Sequence, residues 1–411
     1  MFKIWLNLLN IYLNICYFQC NASQFTCDAG NCIEIEKRCN KLIDCEDKSD
    51  ESFCSIVNFG ESYSTQTPPR ESYLNRTKFE VDLNIERIEN INELDYSFTC
   101  RVIVTIKWID GRLSYNNLFN GYTTIGKEEF EQIWKPSLIL KNSLEHASIT
   151  KNDAVIIQIL KQNEGILKSK KELREGMTYD GKTNDIVLTA VFDTDFGCSY
   201  QLHDYPFDSQ VCTIDVSSPS DISNDIVLVP GIITYSGLSN TLPQFKFNIG
   251  AITSNENGTL IQGTIQLKRI PFYHILCTYL PTVCILLMAM ATLYVDESHF
   301  ESTIMVSLTA MLVLYTLFQS ISNTMPPTAY VKFLDVWLIF CLIMPFLIFI
   351  IEVTWELIKE NEKNEVKKMY PLTKPMKDKC KLICQIGIPV LCGLFSISYV
   401  LSGIFKHYTS T

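Results

Sequence analysis

Charge is scarce in this chain. Only 19% of its 411 residues are Asp, Glu, Lys or Arg, against about 25% in an ordinary soluble domain, and the deficit is uneven. Most of the charge lies before residue 270; long apolar runs dominate after it. One soluble globular domain is thereby excluded, and the length suits two to three domains. Basic residues are in the minority, 35 Lys+Arg against 45 Asp+Glu, which gives a formal net charge of −10. With no basic patch, the sequence has no electrostatic footprint for nucleic acid. It also lacks a nucleophile–base set, a phosphate loop and a catalytic metal motif, so nothing in it points to an enzyme.

Cysteine, by contrast, is plentiful. Of sixteen, six lie between Cys20 and Cys54. Dense cysteines in a short acidic segment imply an oxidising compartment. A segment this short has no room for a core, so disulfides must hold it. Cys198 and Cys212 sit in a polar stretch. Cys277, Cys284, Cys341, Cys384 and Cys392 lie in or beside apolar runs, where they can act as small hydrophobes. Cys100 has no obvious mate. Met1 to Cys16 carries one Lys and then a mainly apolar stretch, which reads as a secretory signal peptide over residues 1–19. A signal anchor is the alternative, but the run is short and polar for a span. Asn21, Asn75 and Asn257 each begin a glycosylation acceptor.

Acids crowd the last third of the 20–54 segment: Asp44, Asp47, Asp50 and Glu51. Carboxylates held together by crosslinks repel unless a cation sits among them, and hard oxygen ligands at this density suit calcium. A solvated acidic loop is the plainer reading. The text resembles the LDL-receptor class A module in its Phe25-x-Cys27 start, its Cys32-Ile33 pair and its Asp44-Cys45-x-Asp47-x-Ser49-Asp50-Glu51 end. The resemblance implies pairings Cys20–Cys32, Cys27–Cys45 and Cys39–Cys54. It also implies a structural calcium held by side chains of Asn40, Asp44, Asp50 and Glu51 with the carbonyls of Lys37 and Leu42. Two departures stand out: Asn40 replaces the usual Asp, and Lys41-Leu42-Ile43 replaces a Gly-rich turn.

Residues 55–78, with Pro68-Pro69, read as a linker. From 79 to 269 short β-rich runs alternate with turns, which predicts an antiparallel sandwich. Within it, Cys198 and Cys212 bracket thirteen residues with Tyr205-Pro206-Phe207-Asp208 at their centre. A lone structural disulfide would account for the two cysteines. The spacing and the aromatic-Pro-aromatic-Asp tip resemble the Cys-loop receptors, the pentameric ligand-gated ion channels. Trp108-x-Asp110-x-Arg112-Leu113 and Trp134-Lys135-Pro136-Ser137 resemble that family's extracellular domain. The resemblance covers about 79–405. An apolar tip with one carboxylate at a membrane boundary needs a surface and a counter-charge, so the tip is expected to press on the loop between the second and third spans, near Pro326 and Pro327, with Asp208 close to Arg269. In amine-binding relatives aromatic side chains enclose the agonist. Here Ile103 stands five residues before Trp108, Pro219 follows Ser218, and residues 254–260 hold no aromatic.

Four apolar runs follow, at about 271–295, 302–322, 331–354 and 382–405, each long enough to cross a membrane. They form a predicted four-helix channel domain over 270–405. With the amino terminus outside, segment 356–381 is cytoplasmic. Its eight lysines against five acids fit the positive-inside rule, and the tail after Phe405 returns outside. On the second run Ser302, Thr309, Thr316 and Asn323 recur every seven residues, nearly on one face. Gln319 and Ser320 widen that face. A polar stripe on a spanning helix needs water or a polar neighbour, unless the hydroxyls bond their own backbone. Met305 and Leu312 interrupt the stripe, and a Leu ring gates by dewetting. Glu301, just before it, would form a carboxylate ring in a pentamer. Family members that pass anions usually carry Pro-Ala-Arg at this junction; here it reads Asp296-Glu297-Ser298-His299-Phe300-Glu301-Ser302.

The fold expected is therefore multidomain: a disulfide-rich calcium module, an all-β extracellular sandwich and a four-helix transmembrane bundle. The function expected is a plasma-membrane, multi-pass subunit of a homo- or heteropentamer, gated from outside by a small molecule or protons and selective for cations. An LDL-module cargo or lipoprotein receptor is the rival reading. It needs one span and no polar stripe. A non-conducting accessory subunit is a third.

Overall fold

The computed structural model describes residues 20–21, 24–52, 54–70, 76–116, 118–149, 154–167, 177–219, 224–363 and 374–409. The expected signal peptide and Asn75 lie outside the described residues. The amino-terminal module has one small hairpin, Gln24–Thr26 against Cys32–Glu34. Its interior is Phe25 with Cys27 and Cys45. So small a core is consistent with three disulfides carrying the fold. They join Cys20 to Cys32, Cys27 to Cys45 and Cys39 to Cys54.

The sandwich is built on seven long strands: β1 (Thr77–Asn92), β2 (Ser97–Trp108), β3 (Asp185–Gly197), β4 (Ser209–Ser217), β5 (Ile226–Tyr235), β6 (Phe245–Ser254) and β7 (Leu260–Arg269). The strongest sequence signal is the period-2 alternation of β2. Phe98, Cys100, Val102, Val104, Ile106 and Trp108 are all buried, and their neighbours are half-exposed. One sheet runs in the order β5, β1, β2, β3, then Val155–Leu160 and Tyr122–Thr124. A second runs β6, β7, β4, then Ile139–Leu140. Facing side chains of both, such as Val104 and Ile106 against Ile214 and Ile265, share one core.

Among the strands without a clear sequence signal, two bear on the architecture. The strand β5 pairs parallel to β1 at a sheet edge and bulges between Pro230 and Ile233. Proline is tolerated at just such an edge, but it breaks the run that marks a strand. Val57–Phe59 pairs with Leu113–Asn116, and the Glu129 carboxylate accepts from the backbone N–H of Ile56 and Val57 at 2.6 and 2.9 Å. The segment read as a linker therefore packs on the sandwich from about residue 55, at the start of the short helix α1 (Lys127–Gln132).

Among the described residues four helices are long and apolar enough to cross a membrane: α2 (Phe272–Tyr294), α3 (Phe300–Asn323), α4 (Phe333–Lys363) and α5 (Lys374–Thr409). In α2 a π-type turn spans Ile275–Tyr279, just before Pro281, whose missing N–H leaves a carbonyl one turn back without its usual donor. The last two helices run past the expected limits, because their polar ends continue the helix beyond the apolar stretch.

Candidate gating junction and pore

The segment between Cys198 and Cys212 is closed by a disulfide, Cα–Cα 5.3 Å. Its tip is not exposed. Tyr205, Pro206 and Asp208 are buried, and Phe207 is half-buried. The tip rests on the outer end of the helical bundle. The Tyr205 carbonyl accepts from the Leu334 N–H at 3.1 Å, and the His203 carbonyl from the Phe333 N–H at 2.8 Å. The Tyr330 hydroxyl accepts from the Leu202 N–H at 3.0 Å, and its ring stacks on His203. Phe207 meets Phe333 edge-on, 5.9 Å between centroids. It also passes so close to α5 that a Cβ on Gly403 would lie 2.9 Å from its ring. Lys406 pairs with Asp204. The tip thus meets the loop between the second and third spans at Tyr330, and beyond it the start of α4 and the end of α5, where aromatic rings and helix-end N–H groups receive it.

Beneath the tip lies a buried ion network. Arg269 Nε donates to Asp208 Oδ1 at 2.7 Å, and Nη2 to Oδ2 at 3.2 Å. Arg269 also pairs with Glu93, at the turn between β1 and β2. Its guanidinium lies over the rings of Tyr205 and Phe245, at 4.6 and 4.4 Å. Burial works against the charge, but Asp208 and Glu93 outweigh it and hold the Arg269 pKa above its usual range. Burial keeps Tyr205 protonated, well above the ordinary phenol. Its hydroxyl is 2.9 Å from His274 Nε2. A charged group bound from both sides in this way ties the β1–β2 turn, the tip and the start of α2 together. Glu93 was not foreseen. Its one signal is its place on a strand turn, within the run Asn92-Glu93-Leu94-Asp95, where a second acid makes it unremarkable.

The exposed surface of α3 includes the residues of the stripe. Glu301, Ser302, Met305, Thr309, Leu312, Thr316 and Asn323 are exposed, as are Gln319 and Ser320. Thr303, Ser307, Ala310 and Leu314 face the other helices and are buried. The apolar Val306, Leu308, Val313 and Tyr315 are exposed as well, so the exposed surface is wider than the stripe. The hydroxyls of Thr309 and Thr316 donate to the carbonyls of Met305 and Val313, each at 2.8 Å. Self-bonding of the hydroxyls therefore accompanies the stripe: the donors are satisfied and the oxygens stay exposed. Behind the stripe, Ser307 donates to the buried Glu352 carboxylate of α4 at 3.0 Å.

In the module, Asp50 is wholly buried, and its Oδ1 has no hydrogen-bond partner. Its Oδ2 accepts from the Asp44 N–H at 2.7 Å. Glu51 accepts from the Lys41 N–H at 2.9 Å, and Asn40 Nδ2 donates to Asp44 at 3.0 Å. An orphaned carboxylate oxygen among these oxygen donors fits a hard cation. The trio Cys27, Cys45 and Asp47 also clusters, but both sulfurs are spent in a disulfide and cannot ligate. Asn21 and Asn257 are exposed.

Comparison with known proteins bears on this geometry. Residues 56–249 match the neurotransmitter-gated ion-channel ligand binding domain, and residues 18–54 match the low-density lipoprotein receptor domain class A. The middle of the chain is thus similar to the ligand-binding domain of the Cys-loop receptors. Its relatives include a gamma-aminobutyric acid receptor subunit beta-like of Drosophila melanogaster, 24% identical over 65% of the chain and 53% of the relative. The beta subunit of Lymnaea stagnalis is 26% identical over 65% and 53%. The human rho-2 subunit is 23% identical over 63% and 53%. The chain thus spans about half the length of the curated relatives it matches. The described residues hold, in chain order, a disulfide-rich module, a sandwich and four membrane-length helices.

Proposed function

We propose that the chain is a subunit of a pentameric channel of the plasma membrane, opened by an extracellular ligand. The observation that carries this reading is the junction: one network joins the sandwich to the starts of α2 and α4 and the end of α5. The exposed polar stripe of α3 supports it. A satisfied but unpartnered polar face on a spanning helix calls for water, and five copies about an axis would enclose it. Leu312 and Met305 would form the narrow apolar rings. The module and the carboxy-terminal end lie outside the cell, and segment 356–381 inside.

Cation selectivity is the finer part of the proposal. Receptors for gamma-aminobutyric acid usually pass anions, so overall similarity does not support it; the junction residues do. No Pro or Arg stands between Asp296 and Ser302, and Glu301 is exposed one residue before the stripe. A ring of five carboxylates at close range favours cations despite screening. As a helix-start acid, Glu301 also suits the dipole, which the ring reading does not exclude. For the module we propose a structural calcium held by Asn40, Asp44, Asp50 and Glu51; bound there, it would neutralise the packed carboxylates.

The agonist is a small molecule or protons. Ile103, Pro219 and the aromatic-free 254–260 segment argue against an acetylcholine-type cage in this chain alone, and gamma-aminobutyric acid is the first compound to try. The test is voltage-clamp recording of oocytes expressing the chain alone and with other subunits, screened against transmitters and pH steps. An evoked current that vanishes with Leu312→Lys supports the reading. Surface expression without current under every condition leaves the accessory role instead.

A further inference from the structure

A cavity of about 570 Å³ lies between α1 and the strand Val155–Leu160, far in sequence from the gating junction. Ile125, Ile149, Ile157 and Leu188 give it an aliphatic interior, and all four are buried. Lys127 and Lys135 also line it, with Glu131 as the one acid among the described residues. The volume is typical of small-molecule sites. The balance of two cations to one acid is unusual in a chain of net charge −10.

We propose that this cavity binds a small organic carboxylate with an apolar body, its carboxylate on Lys135. Lys135 is fixed in advance. Its ammonium donates to the Phe130 carbonyl at 2.7 Å and lies 3.8 Å from the Phe130 ring centroid. An ammonium has three donors, and this bond uses one. Among the described residues no carboxylate pairs with it. Burial lowers the Lys135 pKa, and the charge of Glu131 offsets that only in part. An anion would supply the remaining counter-charge, while an aliphatic body would fill the interior, and a donor already held in place costs little to order.

The cavity belongs to one subunit. Side chains alternate across a strand, and Ile106 pairs with Leu188 on the buried face, while Ile103 pairs with Val191 on the outward face. The position at which Cys-loop relatives contact agonist therefore points away from Leu188, and no neighbouring copy is needed to complete the site.

Saturation-transfer NMR on the purified full chain tests this with hexanoate, hexanol and hexylammonium. Hexanoate should bind saturably and more tightly than either control. Lys135→Met should weaken it by about tenfold or more, the scale of one charged hydrogen bond, and Lys135→Arg should restore most of that loss. Ile156→Trp, which narrows the cavity from an exposed position, should weaken hexanoate without touching Lys135. Hexanol binding as well as hexanoate, or hexanoate affinity unchanged in both variants, would overturn the proposal. The readout needs no current, so its failure leaves the channel reading standing, and a silent channel leaves this one standing.

Discussion

Replacing Asp208 by alanine leaves Arg269 buried beside Glu93 alone. Arg269 is 1% exposed, so water cannot take over the lost partner. Removing one member of a buried pair costs about 3–5 kcal/mol. Glu93 keeps part of the compensation, which argues for the lower end, about 3 kcal/mol. Gln210, which donates to Asp208 at 2.6 Å, loses its acceptor and adds about 1 kcal/mol. For an extracellular domain of this size each kcal/mol moves the melting midpoint by roughly 2–4 °C, so a drop near 10 °C is expected. Arg269→Met should cost at least as much, since two carboxylates are then left facing each other. The decisive assay is the double-mutant cycle, read as thermal midpoints of the purified chain. If the three groups act as one network, the double variant loses less than the sum of the single losses, with a coupling of about 1–3 kcal/mol. Additivity within about 0.5 kcal/mol would refute the network as the link between sandwich and bundle.

Other perturbations have defined outcomes. Glu301→Gln should reduce the permeability of sodium over chloride, measured as a shift of reversal potential on chloride replacement; an unchanged ratio moves the filter elsewhere. Refolding residues 20–54 with calcium should give one dominant disulfide isomer, and chelation or Asp50→Asn should scatter the pairing; identical mixtures with and without calcium would sink the metal role. Cys100 is fully buried and its thiol is pushed up to about 12, chiefly by desolvation, so it should resist maleimide at pH 8 until the chain is denatured, as mass spectrometry would show. Ser307→Ala should destabilise the bundle by about 1–3 kcal/mol, because it removes the donor to a buried Glu352 carboxylate; no change in thermal midpoint would mean that the bond carries no stability.

Much of the fold was legible because its signals are periodic. The alternation of β2, the four apolar runs and the cysteine spacing each report a burial pattern that sequence carries directly. The strand β5 was hidden because Pro230 and Gly231 interrupt it, and an edge strand tolerates what a central one does not. Val57–Phe59 was hidden because three residues give no period, and its hold comes from the distant Glu129 carboxylate. At the junction, Arg269 and Asp208 could be paired in thought from their types and from a family resemblance. Glu93 could not, since a third member of an ion network depends on where a turn lands in space. For the same reason the sequence names the apolar residues of the tip but not the contacts from Phe333, Leu334 and Lys406, since that part of the receiving surface is set by the packing of α4 and α5.

The account rests on α3 lining a water-filled path shared by five copies. Single-particle cryo-electron microscopy of the purified chain, alone or with the subunit that gives it current, tests this most directly. The prediction is a five-membered ring in which Ser302, Thr309 and Thr316 face the axis, Leu312 narrows it, and Glu301 rings the cytoplasmic mouth. A monomer or dimer under all conditions, or a ring in which these residues turn away from the axis and Ala310 and Leu314 face it, would contradict the account.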